Sequence, residues 1–123
     1  MEQLGYDVTV EEVAERLAMR GNQLQVFVAS NKQSGVAGWV AVTLAVRFVG
    51  GMRSEIEGFI VDESARGQGI GERLLRQAEE WARERGCIRV RLNSNVIRER
   101  AHAFYERNGY TKLKAQFALE KTL

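Results

Sequence analysis

The amino-acid sequence predicts an α/β (α+β) domain: a mixed, mostly antiparallel sheet flanked by helices. Three apolar segments rich in β-branched residues follow one another between Leu24 and Val61, separated only by short glycine-containing loops. That arrangement is the mark of an antiparallel meander. Beyond Gly69 the apolar period switches from 2 to 3.6, and helical and strand-like segments then alternate to the end of the chain. The 123 residues carry 45% apolar and 28% charged side chains, the composition of a globular chain rather than a disordered one.

Taken in order, Val10 to Arg20 reads as a helix. Val13, Leu17 and Met19 lie on one side and Glu11, Glu12, Glu15 and Arg16 on the other. Thr9 is its N-cap, with Glu12 three residues on, and Gly21 its stop. Leu24 to Ser30 is a short strand, and Asn31 to Gly35 a hairpin loop. Val36 to Val46 is a longer strand in which Gly38 marks a bulge or a close backbone approach. Gly50-Gly51 turns the chain into a third strand, Met52 to Val61. From Gly69 to Arg85, Ile70, Leu74, Leu75, Ala78, Trp81 and Ala82 share one helical face, and Gly86 ends the helix. Cys87 to Leu92 alternates as a strand, Arg98 to Asn108 is a helix stopped by Gly109, and Tyr110 to Leu119 is expected to close the sheet. The order is α-β-β-β-α-β-α-β.

The net charge of +2 conceals an asymmetry. Residues 1–62 carry 5 Lys/Arg against 8 Asp/Glu, and residues 63–123 carry 13 against 8. A basic C-terminal half suits a polyanionic ligand, nucleic acid or a phosphorylated cofactor. Against nucleic acid, the helical arginines interleave with Glu84, Glu99 and Glu106 as a salt-bridged surface, without aromatic stacking platforms. The single cysteine, Cys87, has no internal disulfide partner and reads as inert core. No apolar run approaches the roughly 20 residues of a membrane span, and no secretory signal opens the chain, so the expectation is a cytoplasmic protein without a membrane partner.

The densest chemical signal is Arg66-Gly67-Gln68-Gly69-Ile70-Gly71, where a strand passes through a turn into a helix. Three glycines in five residues leave the backbone free of Cβ atoms, so that successive N–H groups can converge on an anion. The following helix aims its own unpaired N–H groups and positive dipole end at the same place, and Arg66 adds a bidentate charge. A glycine-rich turn that serves geometry alone is the plainer reading. The spacing fits neither the dinucleotide nor the triphosphate fingerprint, since it is not GxGxxG and no Gly-Lys-Ser/Thr follows.

The hexapeptide resembles the (Arg/Gln)-x-x-Gly-x-(Gly/Ala) motif of the GCN5-related N-acetyltransferase superfamily. A second block, Ala101-His102-Ala103-Phe104-Tyr105-Glu106-Arg107-Asn108-Gly109-Tyr110, is similar to that family's Ala-x-x-x-Tyr-x-x-x-Gly-(Phe/Tyr) signature. Ser94 and Arg98 resemble a branch in which Ser-x-x-x-Arg precedes the second block. The resemblance covers residues 24 to 123 well and implies one acyl-CoA N-acyltransferase-like domain over 1–123, with a twisted sheet and acetyl-CoA as co-substrate. No metal is implied.

By this resemblance the pantetheine arm pairs with Phe59-Ile60-Val61 in an opening between two splayed parallel strands. The pyrophosphate rests on Arg66, Gly67, Gln68, Gly69, Ile70 and Gly71, with Asn95 and Arg98 as further cofactor contacts. Many relatives carry Asn where this chain has Arg98. Tyr105 takes the place of the general acid, with simple packing in an amphipathic helix as its alternative. Glu57, ahead of Glu55, is placed to accept the amine's proton through a water. His102 takes a structural role, and Trp39 and Trp81 read as core or pocket wall. The acceptor is a small-molecule or protein amine. A domain that binds the cofactor without catalysis is the alternative. Family members carry an edge strand ahead of the segment that resembles Glu2 to Tyr6. The N-terminus is shortened by that comparison, so the edge strand Leu24 to Ser30 is expected to self-associate, as in a homodimer, or to take a partner segment that completes the sheet, with cover by the Glu2 to Tyr6 segment as the alternative.

Overall fold

The computed structural model describes residues 23–31, 35–49, 51–63, 67–94 and 99–123. The expected first helix, Val10 to Arg20, and the segment Glu2 to Tyr6 lie outside the described residues. Six elements follow: β1 (Leu24–Asn31), β2 (Gly35–Arg47), β3 (Gly51–Val61), α1 (Ile70–Glu84), β4 (Val90–Leu92) and α2 (Glu99–Arg107). The chain divides into two compact units, residues 1–93 and residues 94–123.

In the first unit the sheet order is β1-β2-β3-β4. The meander pairs antiparallel, β1 with β2 and β2 with β3, and β4 joins β3 in parallel, so the sheet is mixed as expected. Two bulges interrupt it. Ala29 faces Gly38 while Ser30 faces Val36, which makes Ala37 an extra residue of β2. Ala41 faces Gly58 while Val42 faces Ile56, which makes Glu57 an extra residue of β3. Gly38 proves to be a close approach as well. A Cβ there would lie 2.8 Å from the Ile60 carbonyl oxygen and 3.2 Å from Leu74 Cδ1, so only glycine lets α1 and β3 crowd against β2 at this point.

Helix α1 packs on β2 and also on β1 and β3. Its buried stripe of Leu74, Leu75, Ala78, Trp81 and Ala82 meets a sheet whose Val40 and Val42 are fully enclosed. Each such aliphatic side chain contributes about 1.5–3 kcal/mol on burial. The helix ends where Gly86 turns left-handed, at φ 83°. Cys87 N–H then bonds to the Ala82 carbonyl at 3.0 Å and Gly86 N–H to the Arg83 carbonyl at 3.0 Å, the two bonds of a Schellman cap. Arg85 folds back over the Trp81 ring, its guanidinium carbon 4.2 Å from the ring centroid.

This cap corrects the expected strand Cys87 to Leu92. The Cys87 amide is committed to the helix end, and the ladder to β3 starts only where Ser54 N–H meets the Arg89 carbonyl. Cys87 is buried, as a core residue should be, and its sulfur accepts a hydrogen bond from the Ser54 hydroxyl at 3.8 Å.

In the second unit α2 ends on the same motif. Tyr110 N–H bonds to the Tyr105 carbonyl and Gly109 N–H to the Glu106 carbonyl, with Gly109 at φ 93°. The expected closing strand, Tyr110 to Leu119, is not seen: among the described residues, 110–123 pair with no strand. Alternation of side chains selects a face, but a strand also needs a neighbour for its N–H and C=O groups. Among the described residues no helix is long and apolar enough to cross a membrane.

Candidate active site

The site is built from the last residues of β3, the loop beyond it and the start of α1. The register of β3 with β4 runs over Ser54, Glu55 and Ile56, opposite Val90, Arg91 and Leu92, and stops there. The next residue is the bulge residue, Glu57. Beyond it Phe59, Ile60 and Val61 continue to pair with Val40, Trp39 and Gly38 of β2, and all three are half-buried. The strand is therefore held on its β2 side along its whole length, while its β4 register ends at the bulge. Asp62 N–H, bonded to the Ala37 carbonyl at 2.7 Å, fixes the exit into the loop.

In that loop Gly67 and Gly69 have φ of 85° and 77°, the left-handed region that glycine enters without a Cβ penalty. A Cβ built on either would meet nothing within 4 Å, so the space in front of both is open. Gly69 is the N-cap of α1, and no side chain caps the helix. Its carbonyl accepts the first helical bond, from Arg73 N–H at 3.2 Å. The first-turn donors thus lie at the positive end of a 15-residue helix without a side-chain cap, beside two left-handed glycines with open space where a Cβ would stand. These residues fit a pyrophosphate. Gln68 is exposed, Ile70 half-buried and Gly71 buried. Arg66, Asn95 and Arg98 lie outside the described residues.

The two β3 carboxylates differ in exposure. Glu55 Oε1 accepts from Arg53 Nε at 3.1 Å and lies 3.0 Å from Arg53 Nη2, which ties it to its own strand. Glu57 is exposed on the bulge, a distortion that re-aims a side chain away from the regular pleat. Of the two, Glu57 has the freer access to solvent.

On α2, Tyr105 is half-buried between two rings. It meets Phe104 edge-on with centroids 5.6 Å apart, and Tyr110 likewise at 5.9 Å. The Asn108 side-chain amide caps the Phe104 carbonyl at 2.9 Å. His102 is half-buried on the same helix. On α1, Arg76 pairs with Glu79 and Arg83 with Glu80, and Arg85 just beyond the helix lies 3.9 Å from Glu84.

Residues 3–110 match the Acetyltransferase (GNAT) family. The chain belongs to this family. It is 34% identical over 108 residues to glucosamine 6-phosphate N-acetyltransferase 1 of Oryza sativa subsp. japonica, covering 85% of this chain and 64% of that protein. It is 33% identical over 104 residues to aminoalkylphosphonate N-acetyltransferase of Salmonella typhimurium, covering 83% of this chain and 59% of that protein. The chain thus spans about six-tenths of the length of these relatives. A crystal structure of glucosamine-6-phosphate N-acetyltransferase from Arabidopsis thaliana superposes with a TM-score of 0.81 at 25% identity, over 97% of this chain and 86% of that one.

Two features of this GNAT chain escape a reading of its sequence. The bulge at Glu57 leaves no compositional trace, because Glu55-Ile56-Glu57-Gly58 reads as unbroken alternation. Only Gly58, a residue that weakens a regular strand, hints at it. The second is the state of Ser94, which the sequence marks only by resemblance: two residues beyond β4, its hydroxyl is buried without a hydrogen-bond partner among the described residues. A buried hydroxyl without a partner costs free energy unless a ligand or a water completes it.

Proposed function

We propose that the chain is an N-acetyltransferase that moves an acetyl group from acetyl-CoA directly to a primary amine. One observation carries the reading. The β3 register to β4 ends at Ile56, and the same strand runs on into two left-handed glycines and an uncapped helix N-terminus. The edge of Phe59, Ile60 and Val61 would take the pantetheine arm. The N–H groups around Gly67 to Gly71, with Arg66, would take the pyrophosphate, and Asn95 and Arg98 would add contacts. The bound cofactor supplies an acetyl group activated as a thioester.

The chain's own part is to position and to move protons. The Glu57 carboxylate accepts the proton of the acceptor amine through a water, leaving a neutral nucleophile. The Tyr105 hydroxyl donates its proton to the departing sulfur. Glu55, held by Arg53, shapes the strand and takes no proton. The acceptor is an amine, and the relatives named for phosphorylated or phosphonate-bearing amines make such compounds the first to test.

The test is a calorimetric titration with acetyl-CoA, followed by an assay of free thiol with glucosamine 6-phosphate, an aminoalkylphosphonate and simple amines. Binding together with amine-dependent thiol release is expected. Binding without release from any amine would favour a cofactor-binding domain that has no acceptor site. Absence of binding would remove both readings.

A further inference from the structure

The two faces of the sheet differ in charge where β4 ends. Val42, Ile56 and Leu92 stand in one register row, on the face where Gly38 meets Leu74 of α1. Thr43, Glu55 and Arg91 stand in the neighbouring row, and alternation turns them to the opposite face. On that face β3 also carries Arg53, and Arg89 and Asn93 flank Arg91 at every second position. Glu55 is engaged by its own strand: its Oε1 accepts from Arg53 Nε at 3.1 Å and lies 3.0 Å from Arg53 Nη2. Arg91, opposite Glu55 in the ladder, is half-buried and has no ion pair among the described residues.

A half-buried guanidinium gives up part of its hydration, and an anion at its N–H groups offsets that loss. Arginine is also the side chain whose planar fork matches a carboxylate or a phosphate through paired bonds. The place of Arg91 in the ladder adds to this. Leu92, the next residue, is the last of β4 to pair with β3, so Arg91 stands where that ladder ends. Glu57, the exposed bulge residue proposed to take the amine's proton, lies two residues along β3 from Glu55, roughly 7 Å at the full rise of a strand. The two ends of this short span have opposite signs: a carboxylate suited to an amine and a guanidinium suited to an anion.

We propose that Arg91 is the specificity residue of the acceptor site, and that the acceptor is a short primary amine carrying an anionic group a few atoms from its nitrogen. The guanidinium binds that phosphate or carboxylate through paired N–H bonds and so selects which amine reaches Glu57. Arg53, by holding Glu55, neutralises the carboxylate that would otherwise repel the incoming anion. The part of Arg91 is binding, so its removal acts on KM rather than on kcat. This inference rests on the acetyltransferase reading and adds to it the charge of the acceptor and the residue that recognises it.

The test is steady-state thiol release with O-phosphoethanolamine, β-alanine and 2-methoxyethylamine, which share an ethylene spacer and end in a phosphate, a carboxylate and a neutral ether. In the wild-type protein an anionic amine is expected to exceed the neutral one in kcat/KM by at least about tenfold, and the better of the two identifies the anion. Arg91→Gln should abolish that preference by raising KM for the anionic amine, with kcat and the rate on 2-methoxyethylamine unchanged. Arg91→Lys, which keeps the charge but not the fork, should recover part of it. Arg89→Gln removes the same charge from an exposed neighbour and should leave the preference intact. Titration of the CoA-saturated protein with both anionic amines, followed by NMR shifts, reads the same contact without turnover. Equal kcat/KM for charged and neutral amines would overturn the proposal and leave the acetyltransferase reading in place. So would a preference that survives Arg91→Gln or falls equally with Arg89→Gln. Thiol release from no amine would remove the acetyltransferase reading; the proposal then stands if an anionic amine still binds at Arg91 in the titration, and falls if none does.

Discussion

Residues 51–84 and residues 99–123 are built from similar parts: a helix, an alternating segment and glycines at the joints. They use those parts differently. In the first stretch, each demand is met close at hand. β3 pairs with β2 throughout, its bulge is fixed by the register, Gly69 turns the chain into α1, and the α1 stripe covers β2. In the second, α2 is correctly capped and its rings cluster around Tyr105, yet the alternating segment that follows finds no ladder. Local sequence is enough to cap a helix or to enter a left-handed turn. A strand, by contrast, is a relation between two segments that can lie far apart in the sequence.

That contrast is tested most severely at Tyr105. If the second stretch contributes chemistry as well as packing, Tyr105→Phe should lower kcat by about 10²–10⁴-fold while acetyl-CoA affinity changes little. Equal rates at saturating acetyl-CoA would reduce Tyr105 to a ring in a cluster. The next effect belongs to the first stretch. Gly69→Val puts a β-branched residue in a left-handed conformation, at a cost of about 1–3 kcal/mol, and places methyl groups in the open space before the helix. Acetyl-CoA binding should fall by at least an order of magnitude. Gly86→Val, with similar strain at the other end of α1, serves as the control: it should lower the melting temperature and leave binding intact. Equal affinities in the two folded variants would show that the loop does not hold the phosphate.

The smallest effect expected is at Gly38. Gly38→Ala drives a Cβ to 2.8 Å from a backbone carbonyl, which must shift, and overpacking of this kind costs about 1–3 kcal/mol. Denaturant unfolding measures it. A neutral result would mean that β2 and β3 have more freedom than their register implies, and the self-sufficiency of the first stretch would be weakened with it.

The sequence discloses those parts of the fold that depend on near neighbours. The meander, the α1 stripe and the stops at Gly86 and Gly109 are all written in period and in glycine, and each appears within a few residues of its expected place. Register is not written there. Nothing in Cys87 to Leu92 says that the first amide will be taken by a helix cap, nor in Leu113 to Leu119 that a neighbour will be missing. In the site, glycine spacing reveals the left-handed turn, but the choice between Glu55 and Glu57 needs the bulge and the Arg53 pairing, neither of which has a sequence signature.

The bulge has one more effect. Before it, Ser54 and Ile56 share a face with Leu44 and Val42; after it, Phe59 and Val61 share that face with Val40 and Gly38. Glu57 is thus a phase shift in the alternation: the strand pairs with β4 ahead of it and, among the described residues, with β2 alone beyond it. Changing the side chain at this position alters one carboxylate. Deleting the residue would leave Phe59, Ile60 and Val61 opposite their present β2 partners and remove only the local kink and the exposed carboxylate.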